Sequence, residues 1–184
     1  AEHYNKAYET YQDLTGMPNG VYMMTLNAFY RAGWSDVSVR NYFEGKEKNA
    51  SLYAKTGEDS IHIALVNAAE GATSDKMGVG SESEVNYNGA KYFLPNNMES
   101  AAAYFTAGRY MNKMFFSVDD NKARIGISHK GGPDGNWTLY DNWTLTYYGS
   151  SSEAYKVWMQ SVLEAAPNFD NLPEGKYVTN GVVD

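Results

Sequence analysis

The sequence predicts an all-β fold, an antiparallel β-sandwich with one short inserted helix and a C-terminal helical appendage. Three observations carry that prediction. Residues Trp137 to Gly149 alternate bulky apolar side chains with Thr, Tyr and Asn, the period-two pattern of a strand buried on one face. Turn signals recur through the second half at roughly the 8–12-residue spacing of sandwiches. Before residue 150, one segment alone carries a complete helix signature.

The elements follow in order. From Ala7 to Gly33 the pattern is strand, turn, strand. The break is Met17-Pro18-Asn19-Gly20, where Pro sets φ and Asn-Gly tolerates positive φ. In the second strand Tyr22, Met24, Leu26, Ala28 and Tyr30 share an apolar face and predict the core. Val21, Met23, Thr25, Asn27, Phe29 and Arg31 share the other face, which turns polar toward its end and is expected to meet solvent or a ligand. Residues 34–50 read as irregular. Ser51–Lys55 and Ser60–Asn67 read as short strands about Thr56-Gly57-Glu58-Asp59. Ala68–Gly89 is polar, rich in Gly, Ser and Glu, and without periodicity, the pattern of a mobile surface loop. Pro95 stops a strand, and Asn96 with Glu99 forms a capping box for a helix whose Met98, Ala101, Ala102 and Phe105 share one side. Gly108 closes it.

A meander follows: Lys113–Val118, a turn at Asp119-Asp120-Asn121, Arg124–His129, a Gly-rich loop from Gly131 to Gly135, and the long last strand. Glu153–Ala165 reads as a helix with Tyr155, Trp158, Val162 and Ala165 near one face, ended by Pro167. A short strand is expected at Lys176–Thr179. Residues 1–149 are thus expected to form the sandwich, with a truncated first strand as the expectation from a chain that opens at Ala1 in mid-pattern. Residues 150–184 form a helix and tail, either packed on the sandwich or linking to a following domain.

Composition narrows function. A chain of 184 residues with 43% hydrophobic content suits one domain with a real core. A net charge of −7 leaves no basic stripe for nucleic acid or an anionic membrane. No apolar run approaches the length of a membrane span, so no membrane insertion is expected. The absence of Cys excludes disulfides and thiol chemistry.

Catalysis finds little support. His3, His62 and His129 lack metal-ligand spacing, and His62 in an apolar strand reads as a sheet histidine. No nucleophile elbow or phosphate-binding loop is present. Glu58, Asp59, Glu82, Glu84, Asp119 and Asp120 fall in predicted turns, where solvated charge is the default. Nothing promotes one pair of them as glycosidase carboxylates.

Binding is better supported. The 16 Tyr, 7 Phe and 4 Trp are many for this length. Asn27, Phe29 and Arg31 form a row on one strand, and Tyr53 with Lys55 is expected to do the same on another. Aromatic rings beside amide and guanidinium donors suit a sugar, whose C–H faces stack while its hydroxyls hydrogen-bond. Trp34, in the loop after this strand, and Trp137, beside the Gly-rich loop, are further platforms, although Trp137 is better read as covering the sandwich. In the last strand Asp141 is the only charge among the odd positions from Trp137 to Tyr147. A lone buried carboxylate costs several kcal/mol. Asp141 therefore either bonds backbone amides and fixes a bulge, or ligates a structural calcium ion.

These residues carry a resemblance. Tyr11-Gln12-Asp13-Leu14-Thr15-Gly16-Met17-Pro18-Asn19-Gly20-Val21-Tyr22 resembles the early strand–turn–strand of galactose-binding-like jelly-roll domains. Tyr140-Asp141-Asn142-Trp143-Thr144-Leu145 resembles their last strand. Together with Asn27-Ala28-Phe29-Tyr30-Arg31, Pro95-Asn96-Asn97-Met98 and Gly108-Arg109-Tyr110-Met111-Asn112, the chain is similar to carbohydrate-binding modules of secreted or surface proteins of gut and rumen Bacteroidetes. The resemblance covers roughly residues 7–149. It implies a jelly roll that is not itself an enzyme, secreted or on a bacterial cell surface, holding a parent protein on a polysaccharide or oligosaccharide. The sugar contacts expected from the residue pattern are Asn27, Phe29, Arg31, Trp34 and Tyr53, and the resemblance implies a structural calcium ion at Asp141. The competing expectation is an interaction module without a glycan site, supporting neighbouring domains through its C-terminal helix.

Overall fold

A computed structural model describes residues 1–46 and 50–165. It is mostly β, with two antiparallel four-stranded sheets facing each other. The strands are β1 (Glu2–Tyr4), β2 (Tyr8–Thr15), β3 (Gly20–Arg31), β4 (Ser51–Thr56), β5 (Asp59–Ala64), β6 (Glu82–Tyr87), β7 (Ala90–Pro95), β8 (Met111–Val118), β9 (Lys122–His129) and β10 (Trp137–Gly149). The helices are α1 (Ser35–Phe43), α2 (Met98–Thr106) and α3 (Ser152–Ala165). One sheet has the order β1-β10-β3-β8, the other β2-β9-β4-β5, and β6-β7 is a separate hairpin. No described helix is long and apolar enough to cross a membrane.

The apolar face read from β3 is the core. Tyr22, Met24, Leu26, Ala28 and Tyr30 meet Leu52, Ala54, Ile125 and Ile127 of the opposite sheet. The other face of β3 is not open, which corrects the sequence expectation. Phe29 lies in a second apolar layer with Val39 of α1, Val85 and Leu94 of the hairpin, and Ala101, Tyr104 and Phe105 of α2. Farther along, Val21 and Phe115 are covered by Ala154, Tyr155 and Trp158 of α3. The sheet is therefore roofed along its outer side, and β3 is buried on both faces. Of the two placements open for the C-terminal helix, α3 packs on the sandwich. Pro167 and Lys176–Thr179 lie outside the described residues, as do the side chains of Val162 and Ala165.

Three local expectations change. Residues 35–43 are helical rather than irregular, so the sandwich carries two short helices before α3. Two valines and polar neighbours give α1 poor intrinsic propensity, and burial of Ser38 and Val39 decides it. The stretch 68–89 is not one loop. Glu82 and Glu84 lie in β6, and the preceding turn is tied down where Glu82 accepts the amides of Met77 and Gly78 and the Tyr104 hydroxyl at 2.9–3.0 Å. The capping box of α2 sits one residue later, on Asn97 and Ser100, while Gly108 follows the helix with φ of 76° as expected.

β10 departs from simple alternation. Asp141 pairs with Asn27, yet the next pair is Thr144 with Thr25, so one extra residue enters β10. Asn142 takes φ of 57° there, and its amide donates to Asp141 Oδ1 at 2.9 Å. This is a β-bulge, and it inverts the side-chain parity. Trp137 and Leu139 join the layer under α2, whereas Leu145 and Tyr147 lie opposite Met24 and Tyr22 of the core face. The odd positions of β10 do not share one face, and Asp141 is exposed rather than buried.

Candidate functional site

One corner of the roofed sheet gathers residues from five segments. β3 ends at Arg31, and Ala32-Gly33 turns the chain so that Trp34 immediately precedes α1. β10 begins at Trp137, the register partner of Arg31. β1 pairs with β10 and sets Glu2 and Tyr4 alongside. Asn96, Asn97 and Met98 arrive from the start of α2. Together these residues line a cavity of about 390 Å³.

Arg31 is only 3% exposed. It donates to Ser35 Oγ (3.4 Å), Asn96 Oδ1 (3.0 Å) and the Gly135 carbonyl (3.3 Å). Among the described residues its Nε–H has no acceptor. Its guanidinium carbon stands 5.1 Å from the centroid of the Trp137 ring, a cation–π arrangement. Among the described residues no carboxylate forms an ion pair with it. Burial lowers its pKa from the ordinary arginine value, the sign of a guanidinium held out of water. Asn96, expected as the helix cap, spends its side chain on Arg31 instead, which leaves Asn97 to cap α2.

Trp34 is the exposed partner, at 55%. Its indole rests against Gly135: a Cβ built there would stand 2.8 Å from Trp34 Cδ2, and Gly135 holds φ of 81°. One ring face is thus backed by main chain. The backing loop is held by Arg31 on the Gly135 carbonyl and by Asn5 Oδ1, which accepts the Gly135 amide at 2.6 Å. The Trp137 Nε1–H donates to Glu2 Oε2 at 2.7 Å. The lining therefore offers an acceptor in Glu2, a donor in Arg31, amides that do both, and exposed rings in Trp34 and Tyr4.

Of the five sequence-derived contacts, the structure brings Arg31 and Trp34 together. Asn27 is buried beside the bulge, where its Oδ1 accepts Asn142 Nδ2 at 3.4 Å. Phe29 is wholly enclosed, with Trp137 and Phe105 edge-on and Tyr110 tilted against it. Tyr53 belongs to the other sheet, buried, donating to Glu9 at 2.7 Å and stacked on His62. These three are corrected from a solvent-facing row to enclosed side chains, because helices and the strand hairpin cover one face and neighbouring side chains pack around the other. Sequence reading missed Glu2, Tyr4 and Asn96, and undervalued Trp137. All four reach the corner through long-range pairing that no local pattern announces.

Glu58, Asp119 and Asp120, with Asp59 at the start of β5, do line a common concavity with Trp158, but each is exposed. Among the described residues no three His, Asp or Glu side chains cluster as a metal site, at Asp141 or elsewhere. No protein-family model and no curated protein matches the chain.

Proposed function

We propose that this domain is a carbohydrate-binding module of the galactose-binding-like jelly-roll type, and that the Arg31–Trp34 corner is its glycan site. The observation that carries the reading is the Trp34 indole, backed on one face by Gly135 and exposed beside polar groups of both hydrogen-bonding senses. A pyranose needs that combination: a flat apolar platform for its C–H face, with donors and acceptors at the rim for its hydroxyls. The module would hold a parent protein, secreted or on a bacterial surface, near a polysaccharide. At Asp141 the described residues gather no cluster of three acidic or His side chains for a calcium ion, and Asp141 Oδ1 already accepts the Asn142 amide. The proposed binding does not route through it.

Affinity electrophoresis through soluble xylans, glucans, mannans and pectins tests the reading. Retardation by one polymer, abolished in Trp34→Ala with the thermal midpoint unchanged, is the expected result. A second reading has its own observation: α3 leaves Val157, Met159 and Leu163 exposed, apolar side chains that a neighbouring domain could cover. Retardation by no polymer in the panel would favour that interaction module.

A further inference from the structure

We infer that the sugar unit taken by the Arg31 cavity carries a single carboxylate, as a uronic or sialic acid does; this rests on the glycan reading above. Arg31 is a permanent cation, almost fully buried, and its acceptors are a hydroxyl, an amide oxygen and a peptide carbonyl, all neutral. Among the described residues its Nε–H has none. A buried guanidinium without an opposite charge is costly, and sugar hydroxyls would fill its hydrogen bonds while leaving the charge uncompensated. A carboxylate matches the guanidinium fork and supplies the missing charge.

A second positive source faces the same space. Asn97 and Met98, at the N-terminus of the nine-residue α2, line the cavity. Asn97 Oδ1 caps the Ser100 amide, and the remaining first-turn amides carry the positive end of the helix dipole. One carboxylate opposes this, that of Glu2, whose Oε2 is engaged by the Trp137 indole N–H. No Lys is among the lining residues, and the chain's net charge is −7. The site therefore lacks the basic track that a polyanion would follow. One isolated acidic unit, at a chain end or side branch, fits better than a run of charges.

The test is calorimetric titration of the whole chain with glucuronic, galacturonic and N-acetylneuraminic acids, each beside its methyl ester, which keeps the ring and removes the charge. At least one acid should bind tenfold or more tightly than its own ester. Arg31→Gln should bring that ratio toward one, and Arg31→Lys should restore part of it. Equal binding of acid and ester overturns the inference and leaves the glycan reading standing, as does retention on a neutral polysaccharide without binding of any acid. Absence of binding by every acid, ester and polysaccharide overturns both. The acid–ester comparison uses the unaltered protein, so it holds even if the Arg31 variants fail to fold.

Discussion

At the residue scale, Gly135 and Phe29 illustrate how placement sets role. Gly135 combines a left-handed φ with contact against the Trp34 ring. Gly135→Ala should therefore cost at least 1 kcal/mol in stability and displace the indole, so that chemical denaturation and affinity electrophoresis both register it. Phe29 gives the opposite lesson. As an exposed sugar platform, its replacement by Ala would change stability by no more than about 0.5 kcal/mol. Enclosed among Phe105, Tyr110 and Trp137, Phe29→Ala should lower the urea-unfolding free energy by about 3–5 kcal/mol.

At the scale of elements, two neighbouring asparagines divide two tasks. Asn97 Oδ1 accepts the Ser100 amide and caps α2, whereas Asn96 Oδ1 accepts from Arg31. Asn97→Ala should destabilise by about 1 kcal/mol, read as a lower thermal midpoint. Asn96→Ala should leave the helix signal in circular dichroism unchanged and weaken glycan retention. The bulge in β10 acts at the same scale: one inserted residue turns Trp137 toward the roof and Tyr147 toward the core side.

For the whole molecule, buried titratable groups bound the pH range of stability. His3 and His129 have lowered pKa values, chiefly through burial, with Lys6 adding to the effect at His3. A lowered folded pKa means that the unfolded chain binds more protons below about pH 6.5. Stability from both groups is present above that pH and falls as acid is added. Burial pushes Tyr30 and Tyr104 up to about 12, and Tyr110 well above its ordinary value. Their contribution is complete below about pH 10 and is lost as pH rises toward the folded values. Thermal midpoints should form a plateau between roughly pH 7 and 10 and decline on both sides; a midpoint still rising at pH 11 would contradict this burial.

Local sequence determined the alternation of β2 and β3, the Met17–Gly20 break, the meander from residue 113 and the existence of α2 and α3, because period, turn chemistry and capping act between near neighbours. It also pointed to a bulge at Asp141, which the structure shows. Parity in β3 separated its two faces correctly but could not say what would cover the second one. That depended on α1, the β6–β7 hairpin, α2 and α3 arriving from far along the chain. Arg31 and Trp34 were visible as residues, while the cavity around them was not. It exists because β1 pairs with β10, and because the start of α2 and the loop carrying Gly135 close over the end of β3. Those contacts join positions a hundred or so residues apart, beyond the reach of any local propensity, and tertiary packing alone selects them.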